Sequence, residues 1–231
     1  MDARNEAADQ PHLPAPVARR VIRCAHRAGN EVHLLQHALS ANVDWIEVDI
    51  WYAHGRLHAR HERALWRLPI LYDRWRVRLR PRLLPLAELL RIVGRRAGIF
   101  IDLKGLHPRL PAAIVRVVRE ADAIERVAVC GQNWELLDEV GRLEPRIPLY
   151  YSFGNAQHTA LYRARDALGS RATGVSVARW LLDEKTVARF HADGLRVIAW
   201  TVNDVDEAAR LTGWGVDGIT SDRLDLLDSL P

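Results

Sequence analysis

With 231 residues, 48% of them hydrophobic and 27% charged, the chain has the composition of one globular domain, which excludes a largely disordered or fibrous protein. No run approaches the roughly 18 apolar residues that cross a bilayer. A formal net charge of +4 is too small to mark a nucleic-acid binder, so no nucleic-acid partner is expected.

The chain opens on "MDARNEAADQPHLPAPVA", polar and punctuated by proline, without the basic-then-apolar layout of a secretory signal. Residues 1–18 are expected to be a disordered tail, residues 19–231 a single domain, and the location cytoplasmic. Cys24 and Cys130 both lie in apolar, strand-like runs, where a free buried thiol is the common state.

From Val21 onward, β-rich runs recur at 21–26, 45–52, 99–104, 127–131, 148–153, 173–178, 196–202 and 217–221. Segments such as "EVHLLQHALSA", "PRLPAAIVRVVREA" and "DVDEAARLTGWG" between them carry apolar residues at helical spacing, often with Asn or Asp near the start and Gly near the end. Eight alternating β and α units predict an α/β fold, a single (β/α)8 TIM barrel with a very small insertion between strands two and three. An open doubly wound sheet is disfavoured because no GxGxxG turn follows the first strand. In the barrel, chemistry gathers at the C-terminal strand ends, where His26, Asp49 and Lys104 fall.

Alternation assigns the side chains. In the first strand Cys24 and His26 share a face, with Arg27 following. In the second, Ile46, Val48 and Ile50 point to the helices while Glu47 and Asp49 enter the barrel. Gly55 can turn the chain so that "RLHARH" runs back toward the mouth, which makes His61 a candidate beside its neighbours His54 and His58. In the third strand Phe100, Asp102 and Lys104 oppose a purely apolar face of Ile99, Ile101 and Leu103. Paired carboxylates taken out of water require a positive partner. Glu47, Asp49 and Asp102 bring three negative charges and Arg27 and Lys104 two positive ones. A divalent cation then leaves one positive charge for the single negative charge of a phosphodiester. Oxygen-only ligation favours a hard ion, Mg²⁺ or Ca²⁺, over zinc.

In "RWRVRLRPR" (74–82) arginine occupies every second position. Such a ribbon suits a cover over the site or a peripheral contact with an anionic membrane. Tyr151 and Trp200, near strand ends, are candidate substrate-lining aromatics.

Taken together, "HRAGN", "WIEVDIWYAHGRLHARHE", "PRLLPLAELL", "IFIDLKG", "VIAWTVND" and "GVDGITSDRLDLL" resemble the glycerophosphodiester phosphodiesterase family from about residue 21 to the C-terminus. The resemblance implies that Glu47, Asp49 and Asp102 bind a metal, that His26 and His61 are the acid/base pair, and that Arg27 and Lys104 grip phosphate oxygens. It further implies hydrolysis of glycerophosphodiesters to glycerol 3-phosphate and an alcohol. Three features depart from the family pattern. "RAGNEVHLLQ" lacks the usual Pro-Glu-Asn, with Asn30 and Glu31 as the available substitutes; "HER" replaces His-Asp; and Asp102 stands where the hydrolases carry Glu. The Asp-Leu-Lys form is similar to sphingomyelinase D and phospholipase D toxins, which implies as an alternative a lysophospholipid-directed reaction with a cyclic phosphate product. A catalytically idle barrel that binds anionic lipid is the alternative of another class.

Overall fold

The computed structural model describes residues 20–61, 63–64, 70–73, 76–79, 83–164 and 172–231. The tail expected at 1–18 lies outside them. Eight parallel strands form the frame: β1 (Ile22–Ala25), β2 (Trp45–Ala53), β3 (Gly98–Lys104), β4 (Val127–Gly131), β5 (Leu149–Phe153), β6 (Ala172–Ala178), β7 (Arg196–Trp200) and β8 (Gly218–Ser221). They pair in chain order, and β1 pairs with both β2 and β8, which closes the barrel and leaves no edge among the eight. Each strand is followed by its helix: α1 (Val32–Ser40), α2 (Leu86–Val93), α3 (Leu110–Glu120), α4 (Trp134–Leu143), α5 (Ala156–Ala164), α6 (Glu184–Ala192), α7 (Val205–Gly213) and α8 (Leu224–Asp228). The Asn and Asp signals read from the sequence cap helices. Asn133, Asp183 and Asp204 each accept a hydrogen bond from the backbone N–H three residues on, satisfying donors that the first helical turn leaves unpaired.

Strand alternation divides the core in two. Side chains such as Val48, Ile50, Ile99 and Ile101 face outward and pack with Leu35, Leu89 and Leu90 of the helices in the annulus between the layers. Each such fully buried aliphatic side chain contributes about 1.5–3 kcal/mol. Inside the barrel Cys24, Phe100, Ala128, Cys130, Tyr150 and Ile198 form a separate apolar plug, with Trp45 packed on it. Trp45, Phe100 and Tyr150 meet edge to face. The plug fills the barrel beneath the mouth, and both cysteines are free and buried in it.

Between β2 and α2 the chain makes a hairpin. His54 and Gly55 both take positive φ, 50° and 78°, the conformation of a two-residue turn whose twist matches that of the strands. The returning strand Arg56–Ala59 pairs antiparallel with β2 and then with Leu84–Pro85. A three-stranded antiparallel sheet of Arg63–Ala64, Ile70–Asp73 and Arg76–Leu79 completes the insertion. The arginine ribbon read at 74–82 is therefore extended over 76–79; residues 74, 75 and 80–82 lie outside the described residues. Among the described residues no helix is long and apolar enough to cross a membrane.

Candidate active site

The register of β1, β2 and β3 brings the predicted groups to one mouth. Asp49 is level with Asp102 and Glu47 with Phe100 on the neighbouring strand, so the inward phases of two strands stack three carboxylates above the aromatic plug. One oxygen from each of Glu47, Asp49 and Asp102 lies within 4.8 Å of the others. Together with His26, Arg27, His61, Lys104 and Trp200 they line an open pocket of roughly 190 Å³ at the barrel mouth.

Glu47 and Asp49 are only 5% and 1% exposed, so their charges must be compensated locally. Lys104 donates to Asp102 and lies 2.8 Å from Asp49 Oδ1. Asn30 donates to Asp49 Oδ2 (2.6 Å) and accepts from the Asp49 backbone N–H (2.9 Å). Asn30 thus makes the supporting contact that the missing Pro-Glu-Asn left open, whereas Glu31 sits 3.4 Å from His33. The three acids respond differently. Burial opposes ionisation of Asp49, but the ammonium and the hydrogen bonds from Lys104 and Asn30 outweigh it and hold the carboxyl below its usual range. Burial raises Asp102 despite Lys104. Glu47 is pushed well above the carboxylate range by burial and then by the charges of Asp49 and Asp102. One lysine is therefore too little positive charge for three acids. An all-oxygen donor set short of positive charge fits a hard divalent cation.

Arg27 sits just past β1 in the left-handed region, φ 53°. Its backbone N–H donates to Glu47 Oε2 at 2.6 Å, while its buried Nε makes no hydrogen bond among the described residues and stays 3.8 Å from Asp49 Oδ2. The preceding turn is tight: a Cβ on Gly29 would stand 2.6 Å from Val48 Cβ, so only glycine lets this loop lie against β2.

His26 ends the first strand run with Nδ1 2.7 Å from Asp222 Oδ1. The other Asp222 oxygen accepts from Asn203 Nδ2 (2.7 Å), and Asn203 Oδ1 accepts from the Asp222 backbone N–H and from Ser221 Oγ (both 2.9 Å). The hydrogen bond with His26 holds the Asp222 carboxyl down to about 2. With Nδ1–H donating to this carboxylate, Nε2 is the ring nitrogen left outside this contact. Neither Asp222 nor Asn203 received a role from the sequence. The signal was there, since Asp222 leaves β8 beside the strand that His26 leaves.

The hairpin settles which histidine follows β2. The backbone N–H of Arg60 donates to the Asp49 carbonyl at 2.9 Å, and its guanidinium lies over the Trp51 ring at 4.8 Å. This anchors the chain immediately before His61, which lines the pocket, whereas His54 and His58 do not line it. His58 lies within the returning strand, where burial lowers its imidazole. Tyr151 is a correction. It points out of the barrel, fully buried against Trp134 and donating to Asp138, and it does not line the pocket. The inward residues of β5 are Tyr150, in the plug, and Ser152, at the mouth. A step of one residue along a strand changes the face, and "LYYS" alone does not set the phase. Phe100, Cys130, Gln132, Ser152, Ser176, Thr201 and Thr220 complete the wall.

The model of the family described as "Glycerophosphoryl diester phosphodiesterase family" matches residues 103–226. YhdW of Bacillus subtilis (strain 168), whose name places it among the glycerophosphodiester phosphodiesterases, is 26% identical over 149 residues, covering 62% of this chain and 59% of YhdW. A Silicibacter pomeroyi DSS-3 structure named for glycerophosphoryl diester phosphodiesterase superposes with a TM-score of 0.76 at 20% identity, over 90% of this chain and 92% of that one. An Oleispira antarctica phosphodiesterase in complex with the product sn-glycerol-3-phosphate superposes at 0.71 and 20% identity, over 91% and 95%. At these identities the structural likeness is one of fold. Because the family model covers more than half of the 231 residues, the chain belongs to the glycerophosphoryl diester phosphodiesterase family.

Proposed function

We propose that the chain is a metal-dependent phosphodiesterase that hydrolyses glycerophosphodiesters to glycerol 3-phosphate and an alcohol. The observation that carries this is the meeting of two imidazoles, two cationic side chains and three clustered carboxylates around one pocket. The YhdW match spans 59% of that relative's length, so the reading rests on the family and on this geometry. The Oleispira antarctica enzyme, which holds sn-glycerol-3-phosphate, supports the choice of substrate class.

Glu47, Asp49 and Asp102 are the residues that would hold the cation. When bound, a divalent ion supplies positive charge to the phosphoryl oxygens and to the acid cluster. Among the described residues the buried Nε of Arg27 makes no hydrogen bond, and a phosphate oxygen would supply an acceptor. Lys104, which carries the only lysine charge at the carboxylates, adds a second cationic contact. These groups are positioned before substrate arrives, so they stabilise charge that builds on the pentacoordinate phosphorus without reorganising. His26 and His61 divide the proton transfers. One imidazole accepts a proton from the attacking water as its oxygen bonds to phosphorus. The other donates a proton to the departing alkoxide as the phosphorus–oxygen bond breaks. Asp222 keeps the Nδ1 proton of His26 in place, which commits Nε2 to the exchange.

The test is a panel of glycerophosphodiesters supplied with Mg²⁺ or Ca²⁺, with products identified by phosphorus NMR. Glycerol 3-phosphate that disappears in chelator is the expected result. A cyclic phosphate would overturn hydrolysis in favour of attack by a substrate hydroxyl, and full turnover in chelator would overturn the metal assignment.

A further inference from the structure

The pocket wall divides by charge. Its carboxylates, its imidazoles and both of its cations come from β1, β2, β3 and the hairpin, whereas β4, β5 and β6 contribute only the neutral side chains of Cys130, Gln132, Ser152 and Ser176. The three polar ones form an arc. Tyr150 of the plug pairs with Cys130 on one side and Gly174 on the other, and one inward step further along the strands Ser152 pairs with Ser176. The two hydroxyls therefore stand directly on the apolar floor. Gln132, one inward step past Cys130, leans over the same place: a Cβ on Gly154 would meet its Nε2 at 2.7 Å, so the glycine leaves the space that the amide occupies. Ser152 and Ser176 are each only 4% exposed. The Ser152 carbonyl accepts from Trp134 Nε1, but among the described residues neither Oγ makes a hydrogen bond, and both serines line the pocket. A hydroxyl kept in a packed layer without a partner carries a cost that alanine would avoid.

We propose that Ser152, Ser176 and Gln132 are specificity residues that bind the free hydroxyls of a glycerol unit while the phosphoryl group lies against Arg27 and Lys104. The proposal deepens the phosphodiesterase reading and rests on it. Hydroxyls and a carboxamide each donate and accept, so they match a vicinal diol, which does both, and the arc offers no charge to an ionic head group. The nearest rim arginines do not alter this: Arg179 and Arg223 are paired with Glu207 and Asp225, and neither they nor Arg109 line the pocket. The two serines are carried by strands paired to each other, so their positions are set before a ligand arrives. A glycerophosphodiester offers the diol from two sources, the glycerol that keeps the phosphate or a polyol that leaves.

The experiment has two arms, both on the full chain supplied with Mg²⁺ or Ca²⁺. Titration calorimetry compares glycerol 3-phosphate with n-propyl phosphate, which lacks both hydroxyls. Steady-state kinetics compares glycerophosphoglycerol with glycerophosphopropanol, which differ only in the leaving alcohol. The parent should favour the hydroxyl-bearing partner by about tenfold to a hundredfold, the sum of two hydrogen bonds at about threefold to tenfold each. A preference in the first arm assigns the arc to the retained glycerol, and one in the second assigns it to the leaving polyol. Ser152→Ala and Ser176→Ala should each cut that ratio by about threefold to tenfold, and the double variant should bring it close to one. Gln132→Leu, at an exposed position, should cut it similarly and keeps the question decidable where a serine variant fails to fold. A parent that treats both pairs alike, or variants that keep the parent ratio, would overturn the proposal and leave the phosphodiesterase reading standing. Preferential binding of glycerol 3-phosphate that the variants erase, with no turnover of any diester, would strike the phosphodiesterase reading alone.

Discussion

Replacing Glu47 by Gln should change stability in opposite directions with and without a divalent cation. Glu47, Asp49 and Asp102 place oxygens within 4.8 Å of one another. At that distance two unit charges repel by about 3.5 kcal/mol at an effective dielectric constant of 20. Gln keeps the shape and the oxygen that accepts from the Arg27 backbone N–H but never ionises, so it escapes both that repulsion and the proton uptake by which Glu47, pushed well above the carboxylate range by burial and by Asp49 and Asp102, relieves it. In chelator the variant should be more stable by about 1 kcal/mol, less than the bare repulsion because Lys104 already relieves part of it. That gain corresponds to a rise in Tm of about 2–4 °C for a chain of this size. With cation at a hundred times its dissociation constant, the parent should gain about 2.7 kcal/mol, or about 5–10 °C. Loss of one charged ligand of three, worth about a hundredfold in affinity, should leave the variant only about 1 °C at the same concentration. Differential scanning fluorimetry against Mg²⁺ and Ca²⁺ reads both effects without recourse to activity. A parent Tm that ignores both cations, or a Gln variant with the full increment, would refute the three-carboxylate cation site.

Asp222→Asn should lower kcat by about tenfold to a hundredfold with little change in KM, because the carboxylate orients His26 and need not touch substrate. The same residue makes a pH prediction for urea unfolding. Its carboxyl is held near 2 in the folded chain, so its contribution is complete above the unfolded value of about 3.9 and is lost as pH falls through 2. The group is half exposed, so that contribution should stay below about 1 kcal/mol, and Asn should abolish it. Gly29→Ala should destabilise by about 1–3 kcal/mol in a denaturant titration, since the new methyl stands 2.6 Å from Val48 Cβ and 3.1 Å from the Glu47 carbonyl oxygen; an unchanged midpoint would show that the loop can move. Tyr151→Phe should leave kcat/KM within about twofold, below the 1.4 kcal/mol of a tenfold effect, because its hydroxyl serves Asp138 on the helix side; a larger loss would return Tyr151 to the site.

Much of this protein was legible in order. Eight β runs separated by helical spacing require a closed parallel sheet, because each run buries both faces and each helix only one. Within the first three strands, alternation alone placed Glu47, Asp49, Asp102 and Lys104 on one side, and the structure brings them together. Those inferences are local: the period of two belongs to any strand and needs no partner. What the order of residues left open was decided by distant segments. Asp222 meets His26 across 196 positions, through the closure of β8 on β1. His61 rather than His58 reaches the pocket because a hairpin of defined twist and the Arg60 contact with Asp49 set where the returning chain ends. Tyr151 fell on the outer face because the phase of β5 comes from its register with β4 and β6. Patterning specifies which residues share a face; only packing against remote neighbours specifies which face looks inward and what it meets there.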